Sequence, residues 1–268
     1  MLAFLQASGR LTDRKFLLLA CAAVRGVWPL LTEAGSRRAV EASEGHADGL
    51  ADAEGLRAAV LDADKAARKA ARAADQCRAA RQAAEVARRA LARAEGESRR
   101  PAGREALERA RQAARGAAER AERLAALAEA TSGPREAARA AALCVRAAWY
   151  RSRSQPGAEI SLLQAMAAVA AGNADPERPR QCMLLRDLFG SPFRPRPVLS
   201  PSWLSWKDGA VVKLARGMYA ERSFDRLPVL ADALEEAGCT EHSLLAHCRS
   251  EGEHVRGCWV VDLLLGKG

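Results

Sequence analysis

The sequence predicts an all-α protein: a helical core domain formed by residues 1–50 and 132–268, with an Ala/Arg-rich antiparallel helical hairpin, residues 51–131, inserted into it. Three observations predict this. Leu107, Ala110, Ala114, Ala117, Ala121, Leu124 and Ala128 advance by alternating steps of three and four, an unbroken heptad seam. Val60, Ala63, Ala67, Ala70, Ala74 and Cys77 keep the same rhythm, and after one short step Ala80, Ala84, Ala87, Leu91 and Ala94 resume it. Elsewhere, Gly and Pro cut the chain into helix-length segments.

The elements follow in order. Residues 13–32 read as a first helix, capped by Thr12 or Asp13 and kinked or shortened at Pro29. Gly35-Ser36 breaks the chain, and a second helix runs from about 36 to 48. The two seams then flank the turn-forming "GESRRPAG", residues 96–103, so the small seam residues fold back as a closely spaced pair. At about 1.5 Å per residue the first arm reaches roughly 50 Å. Thr131-Ser132-Gly133-Pro134 ends the hairpin, and residues 135–152 form another helix carrying Leu143, Val145, Trp149 and Tyr150. Helices at Ile160–Ala171 and Gln181–Phe189 follow, the second stopped by Gly190. "SPFRPRPVLSPSW" is Pro-rich and extended, with Phe193, Val198 and Trp203 expected to pin it to the body. Asp208–Ala220 and Pro228–Ala237 read as helices, the latter stopped by Gly238. Thr240 caps a helix through Cys248, and residues 254–265 make the last one. The apolar run from Trp259 to Leu265 would also suit a buried strand, but nothing else in the chain offers it a sheet.

Composition narrows the function classes. With five Trp, five Phe and two Tyr in 268 residues, the core is built from Leu, Val and Ala. The net charge is +9, which favours anionic partners. Yet thirty-six of the forty-two basic residues are Arg beside abundant Ala, a bias that GC-rich coding also produces. Residues 51–131 carry a net +5, whereas 201–268 carry a net −2, so an anion-binding face falls in the middle of the chain. Arg146, Trp149, Tyr150, Arg151 and Arg153 set bases beside aromatics, as a nucleic-acid surface does, or as an Arg rim around core-facing rings does. Seven scattered Cys give no disulfide framework and point to a reducing compartment. Leu18-Leu19-Ala20-Cys21 has the form of a lipoprotein cleavage box, but the apolar pattern continues through Val27, Trp28, Leu30 and Leu31, as in a buried helix. No run approaches a membrane span, and no Gly-rich phosphate loop is present. Asp225, Asp232, Glu235 and Glu236 read as a solvated acidic face.

One stretch carries potential ligands. "CTEHSLLAHCRSEGEHVRGCW", residues 239–259, holds Cys239, His242, His247, Cys248, His254 and Cys258. A structural zinc site needs four converging ligands. Adjacent His247 and Cys248 point about 100° apart on a helix, so both cannot serve one site. The spacing matches no common finger signature, and the plainer reading makes the three Cys small core residues, with His254 capping the last helix or bonding a backbone carbonyl, and Arg256 and Asp262 paired with each other or with neighbouring helices. A Cys258–His254 nucleophile lacks any visible oxyanion hole or orienting acid.

The strings "TDRKFLLLACAAVRGVWPLL", "SRRAVEASEGHADGL", "LLRDLFGSPFRP", "FDRLPVLADALEEAGC" and "HVRGCWVVDLLLGK" resemble a bacterial protein family abundant in planctomycete-type genomes, over roughly residues 10–50 and 182–267. That family has an Ala-rich middle of variable length, so the resemblance implies a core with a hairpin insert. It also implies that the Cys21 segment is a helix, not a cleaved leader. No activity, cofactor or catalytic residue is assigned to the family, and the resemblance implies none. The expected function is therefore a cytoplasmic, non-enzymatic helical interaction or scaffold module, with no cofactor and no membrane partner. Its partner is another protein, met by the hairpin's basic face or its tip near Arg99 and Arg100. Two alternatives stay open: nucleic-acid binding by the basic middle, and a zinc-stabilised or metal-dependent domain in which Cys239, His247, Cys248, His254 and Cys258 converge.

Overall fold

A computed structural model describes residues 12–97, 103–154, 157–172, 177–191, 193 and 195–267. Among the described residues every regular element is helical. The α-helices are α1 (Asp13–Arg25), α2 (Ala34–Ala47), α3 (Ala53–Glu97), α4 (Gly103–Ser152), α5 (Ala158–Gly172), α6 (Glu177–Phe189), α7 (Pro201–Glu221), α8 (Leu227–Glu236), α9 (His242–Cys248) and α10 (Trp259–Leu265). Short 3₁₀ turns at Trp28–Leu30 and Phe224–Arg226 link α1 to α2 and α7 to α8.

Helix α1 is the axis of the first core. Thr12 caps it, its hydroxyl accepting the Lys15 amide at 3.3 Å. Every residue from Lys15 to Val24 is buried, because a helix that is apolar all round must be enclosed. Helices α2, α4, α5 and α6 enclose it. Each fully buried Leu or Phe here contributes about 1.5–3 kcal/mol. Arg180 closes its C-terminal end, donating to the carbonyls of Ala22 (3.0 Å) and Ala23 (3.3 Å). Pro29 does not kink α1, which stops at Arg25; the proline sits in the 3₁₀ turn that follows.

Helices α3 and α4 pack along one another. On α3, Ala63 and Ala84 are buried and Val60, Ala67, Ala70, Ala74, Ala80 and Ala87 are half-buried; off the expected seam, Leu61 and Val86 face solvent but Ala59 and Ala66 are buried. Leu107 is buried on α4. The side chains of Cys77, Leu91 and Ala94, those from Ala110 to Ala128 along the second seam, and the turn with Arg99 and Arg100, lie outside the described residues. The expected break at Thr131–Pro134 is absent: α4 runs through it to Ser152. Pro134 removes one backbone hydrogen bond, but flanking Ala favours helix, and Ala137, Ala140, Ala141, Ala147 and Ala148 are anchored in the core.

A second core gathers α7 to α10 around Val211, Met218, Leu227, Leu230, Leu244, Val261 and Leu264. Helix α7 starts earlier than expected and is broken at Trp206–Gly209, where Lys207, Asp208 and Gly209 adopt left-handed backbone. Trp203 is buried as expected, but Phe193 (78 % exposed) and Val198 (87 %) lie at the surface and are not core anchors for the Pro-rich segment. The final helix begins at Trp259, not 254, because Gly257 takes φ +95°. Thr240 does not cap α9, which starts from Glu241 without a side-chain cap.

The cores meet across a polar seam. Arg14 bridges Asp262 (2.6 Å) and Asp48 (3.1 Å), and the Tyr219 hydroxyl donates to Asp48 at 2.6 Å. Lys15, fully buried, pairs with Asp262 and donates to the Leu188 carbonyl at 3.0 Å. Burial first, then the Asp48 carboxylate, pushes the Tyr219 phenol up to about 12. Gly257 locks the loop before α10 onto this junction: a Cβ there would lie 2.8 Å from Leu18 and 2.9 Å from Leu188. A Gly257→Ala variant therefore loses about 1–3 kcal/mol, read as a lower urea midpoint at unchanged slope. No described helix is long and apolar enough to cross a membrane.

Candidate metal centre

Four side chains converge where α6, α9 and the 249–258 loop meet. Asp187 sits in the last turn of α6, on the buried face that also carries Leu184 and Leu188. His247 lies in the last turn of α9. His254 and Cys258 bracket the loop, and Cys258 directly precedes α10. One potential ligand atom from each lies within 4.8 Å of the other three. Tetrahedral zinc with ordinary bond lengths separates its ligand atoms by about 3.3–3.7 Å, a small adjustment from here.

The contacts have a definite pattern. Asp187 Oδ1 lies 2.6 Å from His254 Nδ1 and 3.1 Å from His247 Nε2. The same His247 Nε2 lies 3.2 Å from Cys258 Sγ. A nucleophilic relay needs the thiol and the acid on opposite ring nitrogens, so that one proton moves along a chain. Here both face one nitrogen, so the atoms point at a common centre. One imidazole proton cannot serve two acceptors well; a divalent cation serves all four.

Surrounding groups hold the ligands. Asp187 Oδ2 accepts the Val255 amide at 2.9 Å, which aims Oδ1 at the two rings. With Nδ1 of His254 turned inward, Nε2 faces the Ser250 carbonyl at 3.3 Å, the arrangement that fixes a liganding tautomer. The His247 ring packs against His254 and Trp259 at centroid distances of 4.9 and 5.2 Å. Burial works to raise the Asp187 carboxyl, but hydrogen bonds from both histidines and the Val255 amide hold it below the usual carboxylate range. Burial opposes a charged His254, yet Asp187 holds it above its ordinary value. Burial, and then Asp187, pushes the Cys258 thiol well up, with the amides of Val261 and Val260 pulling the other way. A thiol so placed is a poor nucleophile and becomes a thiolate only against a cation.

The structure thus brings together three of the five sequence candidates, His247, His254 and Cys258, and adds Asp187. Cys239 and Cys248 lie in the second core, where burial raises both thiols, Cys248 to about 12. His242 is exposed. His254 bonds Asp187 as well as backbone, and of the two pairings expected for Arg256 and Asp262 the structure has the one with neighbouring elements: Arg256 meets Asp48, and Asp262 meets Arg14 and Lys15. The basic–aromatic group is a paired rim: Arg146 meets Asp64, Arg151 meets Asp13, and Arg153 lies 5.1 Å over Trp149. The acidic face is partly neutralised, Asp232 and Glu235 by Arg249 and Glu236 by Lys207. Asp187 stood sixty residues upstream of the cluster; its one signal was a carboxylate spaced three and one from Leu184 and Leu188, on an apolar face. Compared with family models, with curated proteins and with solved structures, the chain finds no match.

Proposed function

We propose that the chain is a zinc-stabilised helical protein, with Asp187, His247, His254 and Cys258 as the four ligands of a structural site. The observation that carries this reading is that His247 Nε2 faces both Asp187 and Cys258 while His254 Nδ1 faces the same Asp187 oxygen. Four protein ligands leave no open position, and Asp187 and Cys258 are buried, which favours a structural over a catalytic ion. The ion ties α6, α9 and α10 together where each helix alone is short. Elemental analysis of the purified full chain should find one zinc per chain. Removing it with a chelator should lower the melting temperature by about 10 °C or more, and adding zinc back should restore it. A metal-free protein whose melting curve ignores both chelator and zinc would overturn the reading.

The long pair α3–α4 supports a second part of the reading: an interaction surface on the division into core and inserted hairpin that the resemblance implies. Lys65, Arg68, Lys69 and Arg72 are exposed on α3 at helical spacing, forming a basic stripe that suits an acidic partner protein. Nucleic acid is the rival occupant, and duplex binding that weakens steeply with salt would select it.

A further inference from the structure

We propose that the cavity between α1, α2 and the 249–258 loop is a binding site for a small phosphate-type oxyanion. Its volume is about 160 Å³, and a water needs only about 10–15 Å³ by the same measure. Its charged lining is Arg25, Arg222, Arg256 and Glu44, three cations and one anion, over an apolar floor that includes Leu18 and Phe224.

Charge is the argument. Buried Glu44 takes forked contacts from both Arg25 (2.9 and 3.1 Å) and Arg222. One arginine would neutralise it. Asp48, one turn further along α2's face, is shared by Arg14, Arg256 and Lys267. Arg14 draws also on Asp262, but Lys15 takes part of that carboxylate. Every carboxylate at this junction is outnumbered, and the excess positive charge borders a cavity. Partly desolvated arginines kept together without a matching anion cost stability. A dianion in the cavity supplies the missing charge.

The donors are also held ready. Arg25 stacks 3.8 Å over Trp28 and Arg256 lies 4.6 Å over Tyr219, so both guanidinium planes are fixed before a ligand arrives, Arg25 with its fork on Glu44 and Arg256 with Nε against Asp48. The N–H groups beyond those pairs are the ones that donate to a tetrahedral oxyanion. The cavity also adjoins the metal centre: His254 lines it, and the ligands His254 and Cys258 flank Val255 and Arg256 in the wall. In this one respect the inference rests on the zinc reading, because the ion would fix the loop that carries Arg256.

The test is calorimetric titration of the full chain with inorganic phosphate at low ionic strength, alongside acetate, with zinc content measured on the same sample. One saturable phosphate site is expected, with acetate much weaker. Arg222→Gln and Arg256→Gln, each checked for an unchanged helical spectrum, should each weaken phosphate by about tenfold or more. No saturable phosphate binding in zinc-replete protein, or binding unchanged in both variants, overturns the site while leaving the metal reading standing. Acetate bound as tightly as phosphate overturns the phosphate class. Phosphate binding in protein that holds no zinc supports the cavity and sinks the metal reading instead.

Discussion

On the zinc reading, Cys258→Ala should abolish metal uptake and destabilise the fold by about 4 kcal/mol or more, whereas Cys248→Ala should keep the metal and cost about 1 kcal/mol. The two residues make a controlled pair. Both are fully buried, both belong to the second core, and both lose the same sulfur. If the thiols served only packing, the two losses would match, because each removes one small polarizable group from a tight interior. They differ in surroundings. Cys258 Sγ faces His247 Nε2 at 3.2 Å, beside Asp187; Cys248, one residue past His247 on the same helix, is not one of the four converging groups. The large loss belongs to a ligand because metal affinity is folding energy when the unfolded chain has no preformed site. Urea midpoints and zinc content of both variants check this.

Asp262→Ala is the second large effect, about 3–5 kcal/mol. Asp262 is buried and pairs with Arg14 at 2.6 Å and with Lys15. Its loss leaves the Lys15 ammonium, with almost no exposed surface, to the carbonyls of Leu188 and Gly257 and the like charge of Arg14. Burial already pushes Lys15 below its ordinary pKa, and Asp262 is the main group opposing that shift. The double variant Lys15→Met, Asp262→Leu should cost less than the two single changes added together, because it removes the charge with its partner. Additive costs would mean the two residues do not interact. Denaturant unfolding of the four proteins gives the answer.

Much of the fold was legible because it rests on local signals. Thr12 capped α1, Gly190 and Gly238 ended helices, and the apolar run from Phe16 to Val24 foretold a buried helix. The described side chains of the α3 seam are buried or half-buried, but off-seam Ala59 and Ala66 are buried more deeply than Val60 and Ala67 beside them. What failed was punctuation that tertiary packing overrides: Pro134 stays inside α4 because its flanks are anchored, and Phe193 and Val198 remain exposed despite being apolar. The site was half legible. Clustered His and Cys marked the region, and helix geometry separated His247 from Cys248. His254 and Cys258 fall within the helix expected over residues 254–265, yet both precede it, since that helix begins at Trp259. Asp187 was invisible because its partners come from another element, and sequence distance says nothing of that closeness.

X-ray absorption at the zinc edge of the purified full-length chain tests the central claim most directly. The account predicts one sulfur at about 2.3 Å and three nitrogen or oxygen ligands at about 2.0–2.2 Å, with the sulfur shell lost in Cys258→Ala. A zinc shell without sulfur, or a well-folded chain that takes up no zinc, would contradict it.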